Sequence, residues 1–195
     1  MQIILASGSP RRKELLSWLG LDFEVLVPEV NENVLDGESP KDYCTRLSQD
    51  KARNIFSIHS DALIIAADTV VVLNSTILGK PADNNDAVNQ LRLLQGTMHE
   101  VYTGYTIINE KQLITRAIKT RVFFKEMNDF EISWYISTGE PLDKAGSYGL
   151  QGIGSLFVDR IEGSYTNVIG LPLSDLYNDL KVFGIIQHEV GRYTL

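Results

Sequence analysis

The chain has one cysteine, Cys44, in 195 residues, so no disulfide can form within it. A lone thiol suits a reducing compartment. Histidine is scarce too. His59, His99 and His188 are scattered and make no HExxH pattern, which argues against a zinc site built by the protein. Basic residues are in deficit, 18 Lys and Arg against 25 Asp and Glu, for a net charge of −7. That balance argues against a broad grip on a nucleic-acid backbone, but permits a small anionic ligand wherever positive charges cluster locally. Long apolar runs are missing: Ala62 to Leu73 is too short to span a bilayer and carries Asp68. The N-terminal MQIILASGSPRR has no basic segment ahead of its apolar run and does not read as a signal peptide. Neither a Walker A loop nor a GxGxxG fingerprint occurs; Gly152 and Gly154 give only a weak GxG. Internal repeats and low-complexity linkers are also lacking, so residues 1–195 read as a single domain.

What is present is ordinary globular composition, 44% hydrophobic and 22% charged, in a chain long enough to bury a sizeable core. Gln2 to Ala6 reads as a buried strand. Ser9 is a candidate N-cap, Pro10 suits the first helical position, and Leu15, Leu16 and Leu19 recur at helical spacing up to Gly20. Phe23 to Val27 predicts a second strand, and Ser39-Pro40 opens a helix to about Phe56. Ala62 to Leu73, rich in Ile and Val, predicts a central strand with Asp68-Thr69 as the place for a kink. After a turn at Asn74-Ser75, Asp83 caps a helix through Leu94. Val101 to Ile108 and Leu113 to Phe124 predict a hairpin, and Asn128 to Glu131 a capping-box helix ending at Gly139. A glycine-rich loop region spans 139–155, followed by a strand over Leu156 to Ile161 and a helix over Pro172 to Val182. The pattern is that of an α/β protein with a mixed sheet.

The first strand-to-helix connection carries the clearest chemistry. Helix N-termini expose unpaired N–H groups and partial positive charge, which suit phosphate. Ser7 and Ser9 add hydroxyls, and Arg11 and Arg12 add forked donors. Cations in a first turn oppose the helix dipole, a conflict that an anionic ligand relieves. The alternative is a capped helix with solvated arginines. Asp68 interrupts an otherwise apolar strand, where an ionised carboxylate is costly unless paired, hydrogen-bonded or bound to metal. Such a group suits a metal-bound general base; the alternative is a structural aspartate satisfied by backbone N–H groups. Glu32, Lys51 and Lys80 read singly as solvated surface charges. Together they supply carboxylate for a metal and cations for phosphates, the division of labour that phosphate-ester hydrolysis requires. Tyr148 and Gln151 sit in the glycine-rich stretch, either a ligand loop, with the Gln151 amide reading a base edge, or a mobile surface loop. Cys44 and the hairpin aromatics Tyr102, Tyr105, Phe123 and Phe124 read as packing residues. The carboxylates near the C-terminus show no interpretable pairing.

LASGSPRRKELL, the Glu32 loop, QDKAR, AADTVV, GKP, GEPLDKAGSYGLQG and VIGLPL run in this order from residue 5 to residue 173. Together they resemble the Maf family of nucleoside triphosphate pyrophosphatases. The resemblance implies an elongated mixed sheet flanked by helices, with two lobes around a cleft, similar to the inosine triphosphate pyrophosphatases. It implies pyrophosphate release from a nucleoside triphosphate, a divalent cation (Mg²⁺ or Mn²⁺), a cytoplasmic location and often a homodimer. Asp68 matches the family's proton acceptor; Ser7, Arg12, Glu32, Lys51 and Lys80 match its catalytic and phosphate-binding pocket. Arg11, Thr69 and Gln151 resemble the markers of the subgroup acting on dTTP and UTP. The 7-methyl-GTP subgroup carries Trp, Gln and Glu at those places. A Gln can donate and accept at a pyrimidine edge, whereas a Glu suits a purine's donor edge. Many members have Asp before the loop glutamate where this chain has Asn31. Two other readings stay open: 7-methyl-GTP or another modified nucleotide as substrate, and a non-enzymatic nucleotide-binding regulator of septum formation.

Overall fold

The computed structural model describes residues 1–186; His188 lies outside them. Ile3–Ala6 forms β1 and is buried throughout, as its unbroken apolar run requires. The chain then enters Pro10–Ser17 (α1), where the Ser9 side chain accepts from the Arg12 N–H and Pro10 takes the first turn. It returns through Glu24–Leu26 (β2), parallel to β1. Pro40–Phe56 (α2), capped by Ser39, leads to Leu63–Leu73 (β3), which pairs in parallel with the other edge of β1. The chain leaves the end of β1 toward β2 on one side and leaves β3 toward the opposite edge of the sheet. The crevice beyond the C-terminal end of β1 is therefore a topological switch point, where open α/β sheets bind ligands.

Past this point the sheet becomes antiparallel. Asn74 and Ser75, both at positive φ, turn the chain into the short strand Thr76–Leu78 (β4) against the end of β3. Asn84–Leu94 (α3) precedes the hairpin of Met98–Ile108 (β5) and Leu113–Phe124 (β6). Asp129–Ser137 (α4) carries the expected capping box. Val158–Glu162 (β7), Tyr165–Ile169 (α5) and Leu173–Val182 (α6) complete the described chain. The strand order is β2-β1-β3-β5-β6-β7, with β4 on β3.

Four expectations are corrected. β3 does not kink at Asp68: its pairing with β5 is unbroken from Ile64–Ile108 to Val72–Glu100, because Asp68 sits opposite Gly104 and crowds nothing. The strand expected at Leu156 starts at Val158, since residues 153–157 close into a 3₁₀ turn first. Residues 139–155 are loop only in part, since short 3₁₀ turns form at Glu140–Asp143, Ala145–Ser147 and from Ile153, with Gly139 and Gly146 at positive φ. One C-terminal carboxylate is paired after all. Buried Asp179 accepts from Arg116 Nε at 2.6 Å and Nη2 at 2.8 Å, and from the Tyr105 hydroxyl at 2.6 Å.

The core divides along β3. Its first half packs with Leu15 and Leu16 of α1 on one face and with Ala52 and Ile55 of α2 on the other. Beyond Thr69, Val71 joins a separate cluster built on α3, α4 and the far ends of β5 and β6. Asp68 and Thr69 lie at the changeover between the two lobes. Among the described residues no helix is long and apolar enough to cross a membrane.

Candidate active site

The cleft between the lobes has a volume of about 380 Å³, within the usual range for small-molecule sites. Its walls include Arg11, Arg12, Glu32, Lys51, Asp68, Thr69, Lys80 and Gln151. A hollow of about 330 Å³ over the α1 N-terminus adds Ser7 and shares Arg11, Arg12, Glu32, Lys51 and Lys80 with it. All nine residues singled out from the sequence therefore converge from six different chain segments. The shared cations gather where the cleft meets the α1 N-terminus, whereas Thr69 and Gln151 lie with the apolar side chains of Val70, Val71 and Ile169 in the cleft alone.

Strand alternation sets the chemistry of β3. Asp68 points toward α2. There the Lys51 ammonium donates to its Oδ1 at 2.6 Å and to Glu32 Oε1 at 2.7 Å, so one cation bridges two carboxylates. This approach depends on Gly104, the cross-strand partner of Asp68. A Cβ there would land on the Cys44 carbonyl of α2. The Glu32 loop is held by the Tyr43 hydroxyl, which donates to the Glu32 carbonyl at 2.8 Å, and by Arg46, which donates to the Asn33 carbonyl at 3.0 Å. Asn31 is used locally: its side-chain oxygen accepts from the Asn33 N–H at 2.9 Å. Burial raises the Glu32 pKa, but the Lys51 hydrogen bond and the charges of Lys51, Lys80 and Arg12 outweigh it, leaving the carboxyl below its usual range.

Thr69 points to the opposite face and joins Arg12. Arg12 Nε donates to the Gly170 carbonyl at 2.9 Å, Nη1 to Ser7 Oγ at 3.4 Å and Nη2 to Thr69 Oγ1 at 3.0 Å. Thr103 Oγ1 donates to the Asn167 carbonyl, so the Thr69 hydroxyl must donate to Thr103, 2.9 Å away. A directional chain thus runs from Arg12 through two threonines to backbone. Burial, reinforced by Arg11, lowers the Arg12 pKa against the opposing pull of Asp68 and Glu32. A half-buried guanidinium amid further cations in a first turn free of acidic residues is a site prepared for an anion.

Gly170, Thr103 and Asn167 were not legible as site residues, because backbone carbonyls and sheet threonines leave no distinctive pattern. Tyr148 lines the cleft with a largely buried ring, and its hydroxyl meets His99 Nε2 at 2.7 Å. Among the described residues no group of three or more His, Cys, Asp or Glu is arranged to hold a metal. Glu32 and Asp68 nonetheless suit a hard divalent ion that draws one or two carboxylates from protein and the rest of its shell from phosphate and water.

A protein named dTTP/UTP pyrophosphatase from Syntrophus aciditrophicus is 46% identical over 197 residues, covering 97% of this chain and 96% of the relative. One of the same name from Bacillus cereus is 49% identical over 184 residues, covering 94% and 96%. The Staphylococcus aureus Ham1 protein shares the fold, with a TM-score of 0.50 at 13% identity over 94% of this chain and 100% of that one. The sequence model described as "Maf-like protein" matches residues 2–183, and the chain belongs to this Maf-like family.

Proposed function

We propose that the protein is a nucleoside triphosphate pyrophosphatase acting on dTTP, UTP or modified pyrimidine nucleotides, releasing the monophosphate and pyrophosphate. The observation that carries this reading is Asp68, a largely buried carboxylate at the centre of β3, opening on the cleft and ion-paired to Lys51. A pure binding site has no need of a buried base among its cations. The triphosphate docks on the α1 N-terminus and Ser7, with Arg12, Lys51 and Lys80 taking its oxygens. Asp68 accepts a proton from the water that attacks the α-phosphorus, and pyrophosphate leaves. Glu32 and Asp68 would hold a divalent cation, Mg²⁺ or Mn²⁺, which when bound neutralises phosphate charge. Arg11, Thr69 and Gln151 face the base, and Gln151 offers both a donor and an acceptor to a pyrimidine edge.

The nucleotide pool is cytoplasmic, which supports that location; a homodimer is proposed on the family resemblance. Pyrophosphate release from dTTP, UTP, dCTP, GTP and 7-methyl-GTP, with Mg²⁺ or Mn²⁺, tests the function. Release confined largely to dTTP and UTP is expected. Release from 7-methyl-GTP alone overturns the substrate, and none from folded protein favours a regulatory binder. Asp68→Asn should lower kcat by about 10²- to 10⁴-fold while sparing nucleotide binding; a fully active variant refutes the role of Asp68.

A further inference from the structure

The 3₁₀ turn at Glu140–Asp143 reaches the cleft through Asp143, with Lys144 after it. Glu140 Oε2 accepts from the Ile153 N–H at 2.8 Å, and Oε1 accepts from the Gly154 N–H at 3.0 Å and the Tyr135 hydroxyl at 2.9 Å. The same Tyr135 oxygen accepts from the Gly149 N–H at 3.3 Å. Both ends of the segment from Gly149 to Gly154 are thus tied to one carboxylate–phenol pair, with Gln151 between the ties. The segment lies as close as backbone can. A Cβ on Gly152 would stand 2.6 Å from Glu140 Oε2, and one on Gly154 2.5 Å from both the Gly149 carbonyl and the Tyr135 hydroxyl. Burial raises the Glu140 pKa, but hydrogen bonds from Gly154, Ile153 and Tyr135 more than offset it, so the clamp stays ionised.

Three residues further on, Asp143 Oδ2 accepts from Arg11 Nη1 at 2.9 Å, and its Oδ1 from Lys144 Nζ at 2.7 Å. Lys144 Nζ also donates to the Glu140 carbonyl, which joins the two halves of the turn. A carboxylate facing a polyphosphate cleft repels its ligand. Asp143 is tolerated there because both its oxygens are taken up by cations.

We propose that Glu140 and Asp143 are positioning residues for base selection: one short turn fixes Gln151 through Glu140 and Arg11 through Asp143, setting the distance between the two walls that read the base. This rests on the proposed pyrimidine-nucleotide reading of the cleft. The test compares Glu140→Gln and Asp143→Asn with the parent protein. It measures kcat and KM for dTTP, UTP and GTP, together with Kd for the non-hydrolysable α,β-imido analogues of dTTP and GTP. Each variant should raise KM and Kd for the pyrimidine about tenfold, leave kcat within about threefold, and leave GTP values nearly unchanged, so that discrimination falls about tenfold. Asp143→Glu, which keeps the carboxylate, should recover part of the preference. Combining Asp143→Asn with Arg11→Ala should be less than additive.

If both variants keep the parent's preference, or lose kcat equally for every nucleotide, the inference is overturned. Should the parent bind the pyrimidine analogue preferentially yet turn nothing over, the reaction reading fails and the Kd ratios alone decide the positioning role. Should Glu140→Gln fail to fold, Asp143→Asn decides the question, since the Asp143 side chain is 61% exposed and its loss leaves the core intact.

Discussion

His99 lies on β5 behind the cleft, edge-on to both Phe124 and Tyr148, and is 1% exposed. Its Nε2 meets the Tyr148 hydroxyl, while its Nδ1 has no partner among the described residues. A proton added to this ring would place an unpaired charge in an apolar pocket, and burial pushes the His99 pKa down to about 4 from an ordinary 6.5. The unfolded chain therefore binds the extra proton between about pH 6.5 and pH 4 when the folded chain does not. Stability is unaffected by this group above about pH 6.5 and falls as pH drops through that window, by up to about 3 kcal/mol. The lowered carboxyls of Glu32 and Asp179 lose their ion pairs only further into acid, so the windows separate. Urea midpoints measured from pH 7.5 to pH 4.5 should decline in the parent and flatten in His99→Gln. An equal decline in the variant would assign the slope to other groups.

Between elements, the contact that brings Lys51 to Asp68 is α2 against β5 at Gly104. Gly104→Ala pushes a methyl group into the Cys44 carbonyl and the Thr45 N–H, backbone atoms that cannot rotate away. The expected loss is about 3 kcal/mol, and kcat/KM should fall with it because the same shift withdraws Lys51 from Asp68. Gly79→Ala, whose added methyl meets nothing within 4 Å, is the control and should stay within about 0.5 kcal/mol in chemical denaturation. A Gly104→Ala protein as stable as the control would mean that α2 can shift freely. This dependence was invisible in sequence, where Gly104 reads as one glycine in an alternating strand. Elements with strong local signals were legible: capped α1, α2 and α4, and the β5–β6 hairpin. The short β4 and α5 were not, because three or five residues carry too little periodicity and depend on the sheet they join. The site residues were legible as a set through motif order. Their pairing was not: nothing in the spacing of Glu32, Lys51 and Asp68 tells that one ammonium bridges both carboxylates.

For the whole molecule, charge and core have the same division. A chain of net charge −7 gathers Arg11, Arg12, Lys51, Lys80 and Lys144 around one cleft, where the local anions Glu32, Asp68 and Asp143 number fewer. The cleft lies where one hydrophobic cluster, on α1 and α6, gives way to another, on α3 and α4, with β3 and β5 running through both. A nucleotide bound there contacts both lobes and engages only the folded state, so it must stabilise the protein by mass action. At a hundredfold excess over its Kd the gain is about 2.7 kcal/mol, which for a chain of this size raises Tm by about 5–10 °C. The α,β-imido analogue of dTTP should produce this shift in thermal unfolding, and thymidine, lacking phosphates, should produce little. Arg12→Ala should lose most of the shift, because it removes the half-buried guanidinium that links the α1 turn to Thr69 and Gly170. Added salt should shrink the response by screening the cationic end of the cleft. A shift that equals the parent's in Arg12→Ala, or that thymidine reproduces, would place the ligand elsewhere and dissolve the link between the α1 turn and substrate binding.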